Sequence, residues 1–171
     1  MADIVITNDL LPQRELKVFE YTGHHPSRLI NLIPTLMKER IGIESTDFFE
    51  DKIEWDKSGD PISFYGKWRG KIERDNYSDI WLTIIAQGHQ SVSTKQGYTR
   101  IFLTGNVKTK LPVDNKIIPQ LSFLNRVFSI IYYWLFYGRQ IQEYVRTGRE
   151  MLDKIEMEIR NMFEMIQREQ I

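Results

Sequence analysis

The hydrophobic positions of the C-terminal region recur at helical spacing. From Ile141 to Ile166 they follow one another at intervals of three or four residues, while charged residues such as Arg149 and Glu158 occupy the other face. This spacing predicts an amphipathic helix over 139–168. Such a helix is not stable alone in water, because its apolar stripe needs a partner surface. The rest of the chain is therefore expected to supply that surface.

Residues 121–137 form an apolar and aromatic stretch directly before this helix, in phase with its stripe. The run Val127–Tyr137 is interrupted only by Ser129, and it is too short to span a bilayer. A single helix over 121–168 would be about 72 Å long, which exceeds any core that this chain could provide. We therefore expect a break near Gly138.

Alternating apolar and polar residues predict long strands in the middle of the chain. The three clearest are Ile62–Arg74, Ile80–Ser93 and Tyr98–Leu111, separated by short turns. Ile62–Arg74 would span about 43 Å, close to the length of the C-terminal helix. Short loops between long alternating strands are typical of an antiparallel meander.

Weaker patterns lie before the meander. A strand is predicted at Leu16–Thr22, another around Phe49–Trp55, and a short one within an otherwise loose arm at 1–13. Between the first two, Ser27–Arg40 has helical periodicity, with Pro34 expected to kink or split the helix and a glycine at its C-cap.

Four glycines share the inward parity of the long strands, at positions 66, 70, 88 and 105. Glycine inside a strand weakens the sheet, so it usually marks a bend or a close approach of another backbone. The sheet is therefore expected to curve around the C-terminal helix.

This order of elements resembles the helix-grip fold of the START-like superfamily, which includes polyketide cyclases and lipid-transfer domains. The resemblance covers most of 14–168 and rests on element order, on the strand glycines and on the helix Arg139–Arg168, without a diagnostic motif. It implies an α+β fold in which a curved antiparallel sheet wraps a long C-terminal helix. Residues 14–171 would then be one domain, with an apolar helical insertion at 112–138 and an N-terminal arm at 1–13.

The resemblance also implies a function, because in this superfamily the space between sheet and helix often holds an apolar ligand. We expect non-enzymatic binding or transport of a lipid or another apolar small molecule. The residues expected to line the cavity are Phe64, Trp68, Leu82, Ile84, Ile101, Leu103, Ile141 and Val145. The alternative is that they form a filled core.

The alternative function is a protein–protein or membrane-surface adaptor that uses 127–137 and the C-terminal helix. We favour burial of the aromatic segment against the sheet opening or a second subunit, so the protein is expected to be a monomer or a homodimer. Amphipathic rings are also stable at a membrane interface. The rings that would make peripheral membrane contact are Tyr132, Tyr133, Trp134 and Tyr137.

Candidate chemistry is sparse. The chain has no cysteine, which excludes disulfides and thiolate metal sites and fits a cytoplasmic location. Two adjacent histidines, His24 and His25, are too few for a metal site, and no nucleotide-binding or nucleophile motif appears. No acid, base or nucleophile can be assigned, so we expect no cofactor, no metal and a binding protein rather than an enzyme.

The outward face of the predicted sheet combines basic and aromatic residues, a pattern that also occurs in RNA-binding sheets. The basic positions are Lys67, Arg69, Lys71, Arg100, Lys108 and Lys110. With 23 basic and 23 acidic residues the chain has no net charge. We therefore expect a solvated face and no nucleic-acid partner.

Overall fold

The fold is a six-stranded, curled antiparallel sheet packed against a long C-terminal helix, as the sequence predicts. The computed structural model describes residues 4–12, 15–111 and 122–168. The strands are β1 (Ile4–Asp9), β2 (Lys17–His24), β3 (Phe48–Asp56), β4 (Ile62–Glu73), β5 (Ser78–Gln90) and β6 (Gln96–Leu111). The main helices are α1 (Leu29–Thr35), α2 (Ser122–Tyr132) and α3 (Gly138–Arg168).

The sheet runs in the order β1–β6–β5–β4–β3, with β2 also on β6. Both N-terminal strands lie along the same edge of β6: β1 pairs with its C-terminal half and β2 with its N-terminal half. Much of the predicted arm at 1–13 is therefore part of the sheet, because Ile4 and Ile6 alternate with more exposed neighbours. Residues 112–121, the first part of the expected insertion at 112–138, lie outside the described residues.

Strand β3 forms the opposite edge of the sheet. Its register with β4 shifts between Glu50 and Lys52, which marks a β-bulge at Asp51. Its apolar side chains Phe49, Ile53 and Trp55 remain partly exposed.

The segment before β3 is helical over 26–40, with a further 3₁₀ turn at Ser45–Asp47. A 3₁₀ turn at Pro26–Arg28 leads into α1, and a π turn at Leu36–Arg40 follows it. Pro34 does not split the helix, which instead changes its hydrogen-bonding pattern: the Ile41 amide donates to the Leu36 carbonyl over 3.1 Å. Gly42 ends the helix with φ +82°, which only glycine adopts without strain and which confirms the predicted cap.

Helix α3 buries one stripe against β6, β5 and β2. The stripe consists of Ile141, Val145, Gly148, Leu152, Ile155, Ile159, Phe163 and Ile166. Phe163 takes a place that the periodicity assigned to Met162, and its ring stacks on Tyr21 with centroids 3.8 Å apart. The register predicted for this helix is otherwise confirmed.

The helical backbone does not stop at Gly138. The α-helical pattern of α2 changes to a π turn at Tyr133–Tyr137, and Gly138 itself has helical dihedral angles. The expected break is therefore a change in helical pitch. Ile131 and Trp134, which continue the α3 stripe in the sequence, are exposed because this part of the helix lies beyond the sheet.

Leu10 joins three elements of the fold. Its side chain is fully buried, and its amide donates to the Gly105 carbonyl of β6 over 2.9 Å. A Cβ atom on Gly105 or Gly148 would lie 2.6 or 2.5 Å from a Leu10 methyl group, so both glycines make room for this side chain. Arg149 of α3 also donates to the Leu10 carbonyl. The chain after β1 is thereby fixed between β6 and α3.

The other inward glycines make room for different neighbours. At Gly66 the Trp68 ring covers the space of a side chain, with its nearest atom 2.1 Å from the position of a Cβ. At Gly70 the side chains of Ile43 and Met37 do so, and at Gly88 the backbone of β6 approaches. The sheet glycines thus permit close packing. Of these, Gly105 lies near α3, with the Leu10 side chain between the strand and the helix.

We predict that Gly88→Val destabilises the protein by about 1–3 kcal/mol, the usual cost of overpacking, despite the high β-propensity of valine. A Cβ at this position would lie 2.0 Å from the Tyr98 carbonyl oxygen, and a backbone atom cannot rotate away. Chemical denaturation measures the change. Thr83→Val, on the outward face of the same strand, is the control and should be near neutral; equal stabilities for the two variants would contradict this packing.

Candidate functional site

The eight residues predicted to line a ligand cavity lie together in the core between the sheet and α3. They come from β4, β5, β6 and α3, and the exposed fraction of each is 6% or less. Phe64 also lines a surface pocket. The structure therefore assembles the predicted set as packed side chains.

The pocket that includes Phe64 has a volume of about 500 Å³ and lies at the end of the sheet near β3. Tyr65, His89 and Tyr98 form its aromatic walls, and Arg100 lies at its rim. Because it opens largely between outward-facing residues of four strands, it differs from the cavity that the sequence predicts.

The basic residues of the outer sheet face are mostly neutralised. Arg69 donates two hydrogen bonds to Asp51, at 2.6 and 2.8 Å, and Lys67 lies 3.6 Å from the same carboxylate. Lys71 pairs with Glu73, and Arg100 pairs with Glu20. Four of the six cations thus lie beside carboxylates, and the expectation that nucleic acid is not a partner stays a prediction.

The histidines do not converge on a site in the described chain. The rings of His24 and His25 are 6.4 Å apart, and His89 packs beside Tyr98. Among the described residues, no group of three or more His, Cys, Asp or Glu side chains could hold a metal ion.

Several large apolar side chains are exposed on α2 and the π turn, hereafter the apolar segment (122–137). Trp134 is 76% exposed and Leu135 is 71% exposed. Leu124, Phe128, Ile130, Ile131 and Tyr132 are also exposed. Among the described elements, α2 contacts mainly the π turn that follows it, so this surface does not cover the sheet opening. That part of our favoured interpretation is wrong, because these side chains are exposed and the sheet does not cover them.

The rings proposed for membrane contact divide into two groups. Tyr132 and Trp134 are exposed, whereas Tyr137 is half-buried at the junction with α3. The side chain of Tyr133 lies outside the described part of the structure. Two of the four rings are thus available at the surface.

A hydrogen-bond network around Asp75 fixes the base of the apolar segment. One carboxylate oxygen accepts from the Tyr77 and Ser78 amides, at 2.7 and 2.8 Å, in the β4–β5 turn. The other accepts from the hydroxyls of Tyr137 and Tyr144, which belong to the helix. The carboxylate therefore connects the hairpin to the helix at the point where the helix leaves the sheet.

Two buried hydroxyls extend this network into the sheet. Ser78 Oγ lies 2.9 Å from Thr109 Oγ1 of β6 and 3.2 Å from the Tyr137 hydroxyl. This network was not predicted from the sequence, which indicated only Tyr137 among its members, and for membrane contact. A signal was present in Asp75-Asn76-Tyr77-Ser78, because an aspartate that opens a turn often accepts from the next amides, but the tyrosine partners could not be read from it.

The network shifts the pKa values of its members. Burial raises the pKa of the Tyr137 hydroxyl, and its hydrogen bond to Asp75 raises it further. For Asp75, burial favours a higher pKa, but the hydrogen bonds from Tyr137, Tyr144 and the turn amides outweigh it and hold the pKa below its ordinary value. Asp75 is therefore an ionised hydrogen-bond acceptor at neutral pH.

Comparison with known proteins leaves the family open. No protein-family model matches the chain, and no curated protein sequence matches it. Among solved structures the chain is similar to an uncharacterized protein from Rhizobium leguminosarum, with a TM-score of 0.22, 10% identity, and coverage of 74% of this chain and 94% of that one. A TM-score this low does not establish a shared fold or a shared function. None of the described helices combines the length and hydrophobicity needed to cross a bilayer.

We predict that Asp75→Asn lowers the free energy of unfolding by about 1–3 kcal/mol at pH 7, because an amide replaces a carboxylate that four donors satisfy. Since the pKa of Asp75 in the folded protein lies below its ordinary value of 3.8, the stabilisation by Asp75 is fully present above pH 3.8 and is lost as the pH falls through the folded pKa. Denaturation at a series of pH values should therefore show the two proteins converging in acid. Glu158→Gln is the control, and a difference that stays constant from neutral pH into acid would contradict the role of the charge.

Proposed function

We propose that this protein binds the surface of lipid bilayers and that the apolar segment (122–137) lies in the bilayer interface. The observation that supports this most directly is the exposure of large apolar side chains along one continuous helix. Isolated apolar residues are common on protein surfaces, but a contiguous patch of this kind marks an interaction site.

The pattern within the segment is amphipathic. Leu124, Phe128, Ile131 and Leu135 follow one another at spacings of four, three and four, which places them in one stripe. Ser122, Asn125 and Ser129 fall on the opposite side of a helical projection. A helix with one apolar and one polar face lies parallel to a membrane surface with its apolar side among the acyl chains.

Aromatic residues and charge favour a bilayer over a protein partner. Tyr132 and Trp134 flank the stripe, and rings of this type are enriched where the hydrocarbon meets the headgroups. Between 122 and 142 the sequence contains Arg126 and Arg139 but no acidic residue. Cationic helices of this kind are attracted to anionic lipids.

The length of the segment argues for peripheral binding. The sixteen positions of α2 and the π turn extend about 24 Å, whereas the hydrocarbon core of a bilayer is about 30 Å thick. We further propose a cytoplasmic location, in keeping with the absence of cysteine in the chain. The anionic inner leaflet would be the natural target there.

Carriage of an apolar ligand is the second candidate, and membership of the START-like superfamily is the hypothesis behind it. The element order supports it, since the sheet and α3 grip one another as that resemblance implies. Because the eight candidate residues are packed, a ligand would enter only if α1 or α3 moved away from the sheet.

Native mass spectrometry after incubation with mixed lipid extracts tests carriage. If the protein is a carrier, it should retain one apolar molecule per chain. Leu103→Trp, which fills the core, should abolish this retention. The control Thr83→Trp, on the outer face of the sheet, should retain the molecule. A wild-type protein that never retains an apolar molecule would contradict carriage and leave the surface-binding proposal intact.

Co-sedimentation with vesicles tests bilayer binding. We predict that the wild-type protein binds vesicles containing anionic lipid, and that the double variant Phe128→Ser/Leu135→Ser weakens binding at least about tenfold, because two apolar side chains worth roughly 1.5–3 kcal/mol each no longer enter the bilayer.

The matched control is Met157→Ser/Met165→Ser, which removes two exposed apolar side chains of α3. It should bind vesicles as the wild type does. Equal binding by wild type and the Phe128/Leu135 variant would overturn the proposal. A different result would assign the apolar segment to a subunit interface. In that case sedimentation equilibrium would show a dimer for the wild type and a monomer for the Phe128/Leu135 variant, and neither protein would bind vesicles.

A further inference from the structure

A polar pocket lies beside the base of the apolar segment. It has a volume of about 540 Å³ and is formed by the β4–β5 turn together with the end of β6. Asp75 belongs to both the pocket lining and the network that holds Tyr137 and Tyr144. Any group bound there would therefore lie at the point where the proposed membrane helix meets the domain.

Arg74 in this lining is a cation without a counter-ion in the described structure. Its Nε is buried and has no hydrogen-bond partner among the described residues, and its guanidinium makes one weak contact, 3.9 Å from the Met151 sulfur. The adjacent Asp75 has both oxygens occupied by four other donors. A half-buried guanidinium in this state lacks the acceptors that its fork of N–H groups is suited to bind.

Lys110 adds a second cation, exposed on β6 and in the same lining, with no carboxylate within 4.0 Å among the described residues. By contrast, the third basic residue, Lys71, lies 2.5 Å from Glu73 and 3.8 Å from both Asp79 and Asp47. One ammonium therefore serves three carboxylates, two of which line the pocket. Burial raises the pKa of Asp79, which indicates that its charge is incompletely compensated.

The pocket thus has two poles of opposite sign. Among the described residues, Arg74 and Lys110 have no carboxylate within 4.0 Å, although Lys110 acts electrostatically on Asp79, whereas Glu73 and Asp79 both lie beside Lys71. The lining holds three basic and three acidic side chains, so a simple anion would meet no net attraction. A ligand with both charges would satisfy both poles.

We propose that this pocket binds a zwitterionic phospholipid headgroup, with its phosphodiester at Arg74 and Lys110 and its ammonium group at Glu73 and Asp79. The assignment to a lipid rests on the proposed function, because the pocket adjoins the apolar segment. A bidentate guanidinium contact is well suited to phosphate oxygens. The headgroup would fix the domain at one orientation on the bilayer.

Soluble headgroup compounds test the pocket separately from the membrane. At concentrations on the order of 10 mM, glycerophosphoethanolamine should raise the melting temperature of the full chain by about 2–4 °C. Glycerol 3-phosphate, which has the anion alone, and ethanolamine, which has the cation alone, should each have less effect. No shift with the zwitterion, or an equal shift with glycerol 3-phosphate, would overturn the proposal.

Variants identify the residues. Arg74→Gln and Lys110→Gln should each abolish the shift, and Arg74→Lys should restore part of it. Lys108→Gln, which removes the same charge from β6 outside the lining, should leave it unchanged. Melting without ligand establishes that each variant is folded. A shift that survives in folded Arg74→Gln, or that disappears equally in Lys108→Gln, would contradict the site.

Vesicles of two compositions distinguish the lipid from a free compound of the same chemistry. Arg74→Gln should weaken binding to vesicles of phosphatidylethanolamine and phosphatidylglycerol about threefold and leave binding to pure phosphatidylglycerol unchanged. Phe128→Ser/Leu135→Ser should lose vesicle binding yet keep the shift with glycerophosphoethanolamine. The melting temperature could rise with glycerophosphoethanolamine while Arg74→Gln has the same effect on both vesicle compositions. That result would assign the pocket to a free phosphate ester that carries an amine, and it would overturn only the assignment to a lipid.

Discussion

Burial of the α3 stripe is the interaction on which the rest of this fold depends. Eight positions along a 31-residue helix face the core, and each large apolar side chain that is fully buried contributes roughly 1.5–3 kcal/mol. A helix of that length needs a surface of matching length, which β5 and β6 provide with 13 and 16 residues. The inward glycines and Leu10 then adjust the fit, and the N-terminal strands close the sheet along β6.

Much of this architecture could be predicted because it is encoded in local periodicity. The period of two in β4 and the stripe of α3 each report on a face that needs burial, and both were placed correctly. The same signal failed at Ile131 and Trp134, which share the α3 phase but lie beyond the sheet. Periodicity shows which face is apolar, whereas the surface that covers it is decided by tertiary structure.

The polar features were harder to predict because their partners are distant in sequence. Asp75 binds Tyr137 and Tyr144, which are 62 and 69 residues away, and no pattern in the turn identifies them. Arg74 was equally hard to identify from the sequence. Its importance depends on the lack of an acid paired with its guanidinium among the described residues. The predicted ligand residues were recognised as apolar and inward-facing, but a sequence does not distinguish a lined cavity from a filled core.

The bulge in β3 has a consequence for crowding. A protein held at a bilayer surface meets its neighbours in two dimensions, at a local concentration far above that in solution, and a regular edge strand would invite copies to pair into a continuous sheet. At Asp51 the extra residue interrupts the ladder, while the Arg69 and Lys67 contacts hold that carboxylate beside the strand. Charged residues at Glu50 and Lys52 flank the interruption. The bulge thus protects this edge of the sheet against the polymerisation that the proposed membrane recruitment would otherwise promote.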